Sequence, residues 1–349
     1  VKIGIVGVGY VGTACVKAML MRRMCEQIVL IDVRARDQHT RGVRNDLSHG
    51  GSLYSPTKLV VGDYNMIHDA PVVVITAGVN EKAGQAIDRK DPWGRQRLLP
   101  RNAEIYRNVV PSIVQVAPAA TIIVATDPPD SLADIAREIV LETGGRNVVL
   151  STGTYLDSRR FREQIASLLD IDSESIRANV LGEHGKTQVY SWASAQSGGV
   201  PIAHLFESNG HTDEASYRGL VQGRVLDANI DIIEATDASQ HGIGLVTTRI
   251  VEAILWNERI VEPVGLWHEQ YGVTLSLPSV IGRHIRALPR PVPSSDLEVA
   301  EEAAIRRSAA YVAEALHRVR TGLGFDAPPS LTWEAWSRQL QSRHRSKPA

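Results

Sequence analysis

Gly7-Val8-Gly9-Tyr10-Val11-Gly12 follows directly on an apolar run from Lys2, and Val11, Ala14, Cys15 and Ala18 then recur at helical spacing. The order is strand, glycine-rich turn, helix. In such a turn the first glycine permits the tight bend and the second lets a pyrophosphate approach the backbone. The third lets the helix pack on the strand, while the helix N-terminus faces the phosphates. A second strand, Gln27 to Val33, contains Asp32, twenty residues beyond Gly12. An acid there accepts hydrogen bonds from both ribose hydroxyls and repels a 2′-phosphate. Arg34 and Arg36 follow and soften that discrimination, but NAD is the expected cofactor.

Further β-rich runs at Lys58–Val61, Pro71–Thr76, Thr121–Thr126 and Asn147–Leu150 alternate with helical patterns, clearest in Leu132, Ile135, Ala136, Ile139 and Val140. That alternation predicts an α/β fold, a Rossmann-type doubly wound parallel sheet covered on both faces. Ligands bind such sheets at the carboxyl ends of the strands, which singles out Thr76-Ala77-Gly78 and Thr126-Asp127-Pro128 as contacts. From Val79 to Arg101 the chain is charged and irregular, with Gly84, Pro92, Trp93, Gly94 and Pro100. A loop of this length is expected to be a mobile lid, with Trp93 burying its ring over the ligand. From residue 212 the pattern is helical over Thr212–Ala235 and His241–Glu258, then strand-rich to near Gly282, then helical from Ser295 to Thr321. We therefore expect a nucleotide-binding domain over 1–150, an α+β substrate domain over 151–321 and a C-terminal extension over 322–349.

A formal net charge of −1 on 349 residues gives no electrostatic case for nucleic acid or an anionic membrane. No apolar run approaches the roughly 18 residues that span a bilayer. The two cysteines, Cys15 and Cys25, fall in or just after one helix, so free thiols in a reducing, cytoplasmic compartment are expected and a metal site is not. The chain begins at Val1, inside a strand and without an initiator Met, which leaves a targeting segment open.

Past the middle lies Leu181-Gly182-Glu183-His184-Gly185, with Asp157-Ser158-Arg159-Arg160-Phe161 upstream. Imidazole titrates near working pH, a carboxylate fixes its tautomer, and a guanidinium grips a carboxylate through two parallel hydrogen bonds. Together these residue types suit acid–base work on a small acid.

The motifs Gly7-x-Gly9-x-x-Gly12, Asp32, Thr76-Ala77-Gly78, Asp157-Ser158-x-Arg160-Phe161 and Gly182-Glu183-His184-Gly185 occur in the order seen in the L-lactate/L-malate dehydrogenase family. Asp46-Leu47-Ser48-His49, Gly62-Asp63-Tyr64, Gly198-Gly199-Val200-Pro201, Gln270-Tyr271-Gly272 and Leu277-Pro278 extend the resemblance from about residue 2 to about residue 320. It implies an NAD-dependent oxidoreductase of small 2-hydroxy and 2-oxo acids, assembled as a homodimer or homotetramer. It implies His184 as acid–base, Asp157 as its partner, Arg160 on the substrate carboxylate and Arg95 polarising the carbonyl. Asp127, Ser239, Trp93 and Glu81 would complete the substrate site. Gly7, Gly9, Val11, Gly12, Asp32, Tyr64, Thr76, Ala77, Gly78, Thr126 and Asp127 would hold the cofactor. The lengthened loop with Trp93 looks most like that of apicomplexan lactate dehydrogenases.

Three positions depart from the family pattern. Asp127 stands where an Asn is usual. Glu81 occupies the substrate-selecting position, where lactate enzymes usually carry Gln and malate enzymes Arg. Lys186 follows Gly185 where Asp is common. Lactate/pyruvate or a bulkier 2-oxo acid is the expected substrate. Malate would need a cation facing its second carboxylate, for which Lys82, Arg89 and Lys90 are the candidates. A binding module with weak turnover is the alternative that Asp127 suggests. Arg162 and Arg177 fall where some bacterial members bind an activating sugar phosphate, and plain surface arginines are expected here. The extension, with Trp333, Trp336 and a basic finish, either packs on a neighbouring subunit or frays.

Overall fold

A computed structural model describes residues 1–345, with side chains as far as Ser342. Strands β1 (Lys2–Val6), β2 (Gln27–Ile31), β3 (Lys58–Val61), β4 (Val72–Ile75), β5 (Thr121–Val124) and β6 (Val149–Ser151) pair in parallel. Their order, β3-β2-β1-β4-β5-β6, reverses direction between β1 and β4. Such a reversal opens a crevice at the carboxyl ends of those strands. Because both faces are covered, the strands read as unbroken apolar runs. Ile3, Ile5, Val72 and Val74 point to one face, under helices α1 (Tyr10–Arg22) and α8 (His241–Leu255). Val6, Val73 and Ile75 point to the other, under α3 (Leu99–Val116), α4 (Pro129–Glu142) and α9 (Asp296–Thr321). Helix α2 (Asp37–Gly51) lies between β2 and β3.

The second half of the chain does not form a separate sheet system. Short strands β7 (Ile176–Arg177), β8 (Val180–Leu181), β9 (Val189–Tyr190), β10 (Gln196–Ser197) and β11 (Val200–Pro201) make two small sheets. Helices α5 (Tyr155–Leu169), α6 (Ile202–Ser208) and α7 (Glu214–Thr236) enclose a third core around Phe161, Phe206 and Val221. The hairpin β12 (Ile260–His268) and β13 (Val273–Ile281), with β14 (Arg286–Ala287), extends the main sheet to nine strands through the antiparallel pair Gly265 and Ser151. Substrate-side and nucleotide-side residues thus hang on one frame.

Two expectations need correction. The stretch Val79–Arg101 is more ordered than its composition suggests: Gly94–Leu98 is a 3₁₀ turn and α3 already starts at Leu99. Pro100 belongs to the first turn of α3, where its missing N–H has no helical partner to lose. The extension does not fray at once. Helix α10 (Trp333–Arg345) folds back on its own chain, with Trp336 buried and its indole N–H donated to the Tyr271 carbonyl at 2.8 Å. Positions 346–349 of the basic finish lie outside the described residues. Cys15 and Cys25 are free thiols. Among the described residues no helix is long and apolar enough to cross a membrane.

Candidate active site

The turn after β1 tests directly whether a dinucleotide fits. Gly7 has φ +96°, and a Cβ there would lie 2.5 Å from the Ala77 backbone nitrogen. A Cβ on Gly12 would lie 2.1 Å from the Gly7 carbonyl oxygen. Both glycines are therefore fixed by close packing of turn, helix and β4. Gly9, by contrast, has no heavy atom within 4 Å of its would-be Cβ, so space for a phosphate lies over the start of α1. Asp32 stands at the end of β2, where its Oδ2 accepts from Val8 N–H at 2.9 Å and Arg36 lies 3.2 Å away. Tyr64 sits half-buried on the 3₁₀ turn after β3, close enough to Asp32 to feel its charge. A cleft with about 690 Å³ of empty space runs onward past Val11, Thr76, Gly78, Thr126, Asp127 and His184, reaching Ser239 and Glu81. These residues can hold NAD along the strand ends.

At the inner end of the cleft the acid–base residues converge. His184 Nδ1 is hydrogen-bonded to Asp157 Oδ2 on α5, and Arg95 Nη1 donates to His184 Nε2. An arginine is only a donor, so Nε2 is the accepting nitrogen and Nδ1 carries the proton. The backbone is pinned as well. His184 N–H donates to Asp130 Oδ2 at 2.8 Å, and Asp130 Oδ1 accepts from Ser151 and Ser276 on β6 and β13. Arg160, one turn along α5, reaches Asp157 Oδ1 at 3.1 Å. Burial alone would raise the Asp157 carboxyl, but the adjoining imidazole and the Arg160 guanidinium hold it well below the usual carboxylate range. Burial disfavours the imidazolium of His184, yet Asp157 outweighs it and the pKa is raised.

Asp127 completes the group, 3.7 Å from His184 Nε2 and 3.6 Å from Arg95 Nε. Burial pushes its pKa up to about 7, and its carboxyl is hydrogen-bonded to that of Glu81. Glu81 also accepts from Asn229 Nδ2 of α7 at 3.0 Å. Two carboxyls can hydrogen-bond only when one is protonated. The buried cluster then sets Arg95 and Arg160 against Asp157 and one charge on the Glu81–Asp127 pair, with the buried carboxyls of Asp130 and Glu183 behind it.

Two expectations fail on geometry. Trp93 does not face this group. Its ring is 1% exposed and stacks on Tyr311 of α9, because the turn at Asp91–Trp93 directs it into the core under β4. Arg162 is not on the surface; it is buried, donating to the Ala178 carbonyl and paired with Glu262 at 2.8 Å. Arg177 is exposed on β7, as expected of a surface arginine. Lys82 is bound to Asp237, and Arg89 to Asp231 and Glu234, so both point away towards α7. Sequence reasoning missed the parts that act at one remove. Glu183 is buried and accepts from Thr187 and Gln96, while Asn102 bonds Val79 N–H and the Asp127 carbonyl. Asn229 had no local signal, because its role exists only once α7 meets the loop.

The matching family models are the lactate/malate dehydrogenase NAD-binding domain over residues 1–149 and the lactate/malate dehydrogenase alpha/beta C-terminal domain over residues 154–320. The chain belongs to the lactate/malate dehydrogenase family, NAD-linked oxidoreductases acting on the CH–OH group of 2-hydroxy acids. It is 35% identical to the L-lactate dehydrogenase of Deinococcus radiodurans, over 81% of this chain and 88% of that protein. It is 34% identical to that of Chloroherpeton thalassium, over 91% of this chain and 99% of that protein. Among solved structures, the ligand-bound minor L-lactate dehydrogenase of Enterococcus mundtii superposes with a TM-score of 0.79 at 32% identity, covering 91% of this chain and 98% of that one.

Proposed function

We propose that the chain is an NAD-dependent L-lactate dehydrogenase that interconverts L-lactate and pyruvate. The observation that carries this is His184, held by Asp157 on one nitrogen and facing Arg95 with the other, at the inner end of a cleft that runs along the strand ends. Bound NAD would lie along Gly9, Asp32, Thr76 and Thr126, and its nicotinamide supplies the hydride acceptor or donor. In oxidation, neutral His184 takes the hydroxyl proton at Nε2, displacing its contact with Arg95. Asp157 stabilises the imidazolium that results. Arg160 binds the substrate carboxylate, and Arg95 stabilises charge developing on the oxygen. In reduction the protonated His184 returns that proton.

Pyruvate is favoured over oxaloacetate by charge. Burial pushes the Glu81 carboxyl up, but the hydrogen bond with Asp127, the Arg95 charge and the Asn229 amide together bring its pKa below the usual value, so it is the ionised member of the pair. The nearby cations Lys82 and Arg89 are spent on α7. A second carboxylate would meet the Glu81 acid, with Lys82 and Arg89 already paired elsewhere. Exposed Leu53, Tyr54 and Leu245 support a homo-oligomer, and the free thiols suit the cytoplasm. The test is NADH oxidation with a panel of 2-oxo acids. Pyruvate should exceed oxaloacetate by on the order of 10²-fold in kcat/KM, the scale of a few kcal/mol of unpaired charge. Turnover of none of the panel would overturn the assignment.

A further inference from the structure

The loop that carries Arg95 is not held uniformly. Beyond Glu81, its first half, residues 82–90, is tied down by surface ion pairs: Lys82 with Asp237, and Arg89 with Asp231 and Glu234, all more than a third exposed. Pairs of that kind hold weakly. Its second half is fixed from both sides of Arg95. On the far side, Gln96 is fully buried, donating to Glu183 Oε1 at 3.2 Å and accepting from Ser131 at 2.9 Å. On the near side is Trp93, whose backbone N–H is held by Asp91 and whose ring is held by α9 and the chain after it.

The Trp93 ring stacks on Tyr311 with centroids 5.3 Å apart and meets the edge of Phe325 at 4.9 Å. Its indole N–H donates to the Ala327 carbonyl at 2.7 Å. Tyr311 Oη lies 2.7 Å from the Trp93 carbonyl oxygen and 3.0 Å from that of Pro92, so its one proton is shared between them. The clamp is itself braced. Arg318 caps the ring at 5.0 Å and donates to the Gly324 carbonyl, while Glu314 accepts from the backbone N–H groups of Ser330 and Leu331. Phe325 and Ala327 lie beyond residue 320, where the matched family domain ends.

We propose that the chain after α9, through Phe325 and Ala327, is a positioning device that clamps Trp93 and thereby fixes the Arg95 guanidinium against His184. Only one residue, Gly94, separates Trp93 from Arg95, so the clamp sets where the backbone that carries the Arg95 side chain lies. The clamp touches no substrate atom. It makes Arg95 a preorganised group, and confines loop movement to the half held by surface charges. This rests on the proposed role of Arg95.

A double-mutant cycle separates positioning from general destabilisation. Phe325→Ala should lower kcat by on the order of 10-fold, since displacing a catalytic group by a fraction of an ångström costs rate steeply. The KM for pyruvate and the NADH affinity should stay within about 2-fold, because ground-state binding is not what the clamp serves. In an Arg95→Gln background the same Phe325→Ala change should cost nothing further. Phe325→Tyr, which keeps the ring, should restore most of the rate. If Phe325→Ala disrupts folding, Trp93→Phe, which removes the N–H bond to Ala327 and shrinks the clamped ring, carries the same cycle. An equal loss in both backgrounds, or no loss in either variant, would overturn the proposal. Wild-type kcat in Arg95→Gln alone would instead defeat the assignment of Arg95, and the proposal with it.

Discussion

Asp127 and Glu81 stand carboxyl to carboxyl beside the imidazole of His184 and share one proton, with burial raising the Asp127 side of the pair. A protonated Asp can donate as an amide does, which reconciles an acid at this position with an anionic substrate. The arrangement has a cost in pH range. Burial raises Asp127 to about 7, so above that pH the pair loses its proton and presents a second negative charge to the incoming acid. Reduction also needs protonated His184, whose pKa is raised by Asp157. Both losses run in the same direction. The logarithm of kcat/KM for pyruvate should therefore fall with a limiting slope of about −2 on the alkaline side. Asp127→Asn, which keeps a donor without the titration, should return the slope to about −1 and raise the rate above pH 7. An Asn variant with the wild-type profile would show that the pair does not gate the substrate.

The acid–base assignment has its own pH signature. Oxidation of lactate uses neutral His184, so its rate should rise with pH through the raised histidine pKa, opposite to reduction. His184→Ala should lose on the order of 10²–10⁴-fold in kcat with NADH binding nearly intact. Asp157→Asn should lower the histidine pKa, because the carboxylate that raises it is gone. Oxidation and reduction responding to pH in the same direction, with chemistry rate-limiting, would refute the role.

What could be read in the sequence followed a physical divide. The glycine turn, Asp32, the strand-end threonines and the His184 segment were legible because each is local: a few adjacent residues set the backbone, and the backbone sets the chemistry. The parallel sheet covered on both faces was legible because unbroken apolar runs such as Val72–Ile75 demand such cover. Trp93 was misjudged for the complementary reason. Its flanking Pro92, Gly94 and charges read as a loop, and nothing local says that Tyr311 and Phe325, over two hundred residues on, supply its pocket. The Glu81–Asn229 contact and the inward paired Arg162 are of the same kind: polar partners far apart in sequence, joined only by tertiary packing.

Cofactor choice turns on Asp32 and its neighbour. Asp32 uses Oδ2 on Val8 N–H and Oδ1 on Val33 N–H, and each oxygen keeps a second lone pair for a ribose hydroxyl. Arg36, 3.2 Å from Oδ2, partly screens the charge that repels a 2′-phosphate. NADH should be preferred, but Asp32→Ser should narrow the gap from both ends by weakening NADH and freeing Arg36 for the phosphate. Measuring kcat/KM with NADH and NADPH decides it, and equal values in the unmutated protein would sink the prediction.

The loop itself should respond to salt only in its first half. Arg89 binds Asp231 and Glu234 across an exposed gap, and Lys186 Nζ donates to the Arg89 carbonyl at 2.6 Å. These contacts sit in water, where added salt weakens them. Trp93, Gln96 and Leu98 are buried and should not respond. Rising ionic strength should therefore increase protease nicking within residues 82–90 while leaving 93–98 resistant, and Arg89→Ala should reproduce the effect at low salt. Because Arg95 is held separately, the variant should raise KM for pyruvate more than it lowers kcat, and its KM should lose most of its salt dependence. NADH with a pyruvate analogue such as oxamate should slow nicking in both proteins by favouring the closed loop. Nicking that begins between Trp93 and Leu98, or a fall in kcat as large as the rise in KM, would mean that the two halves move as one.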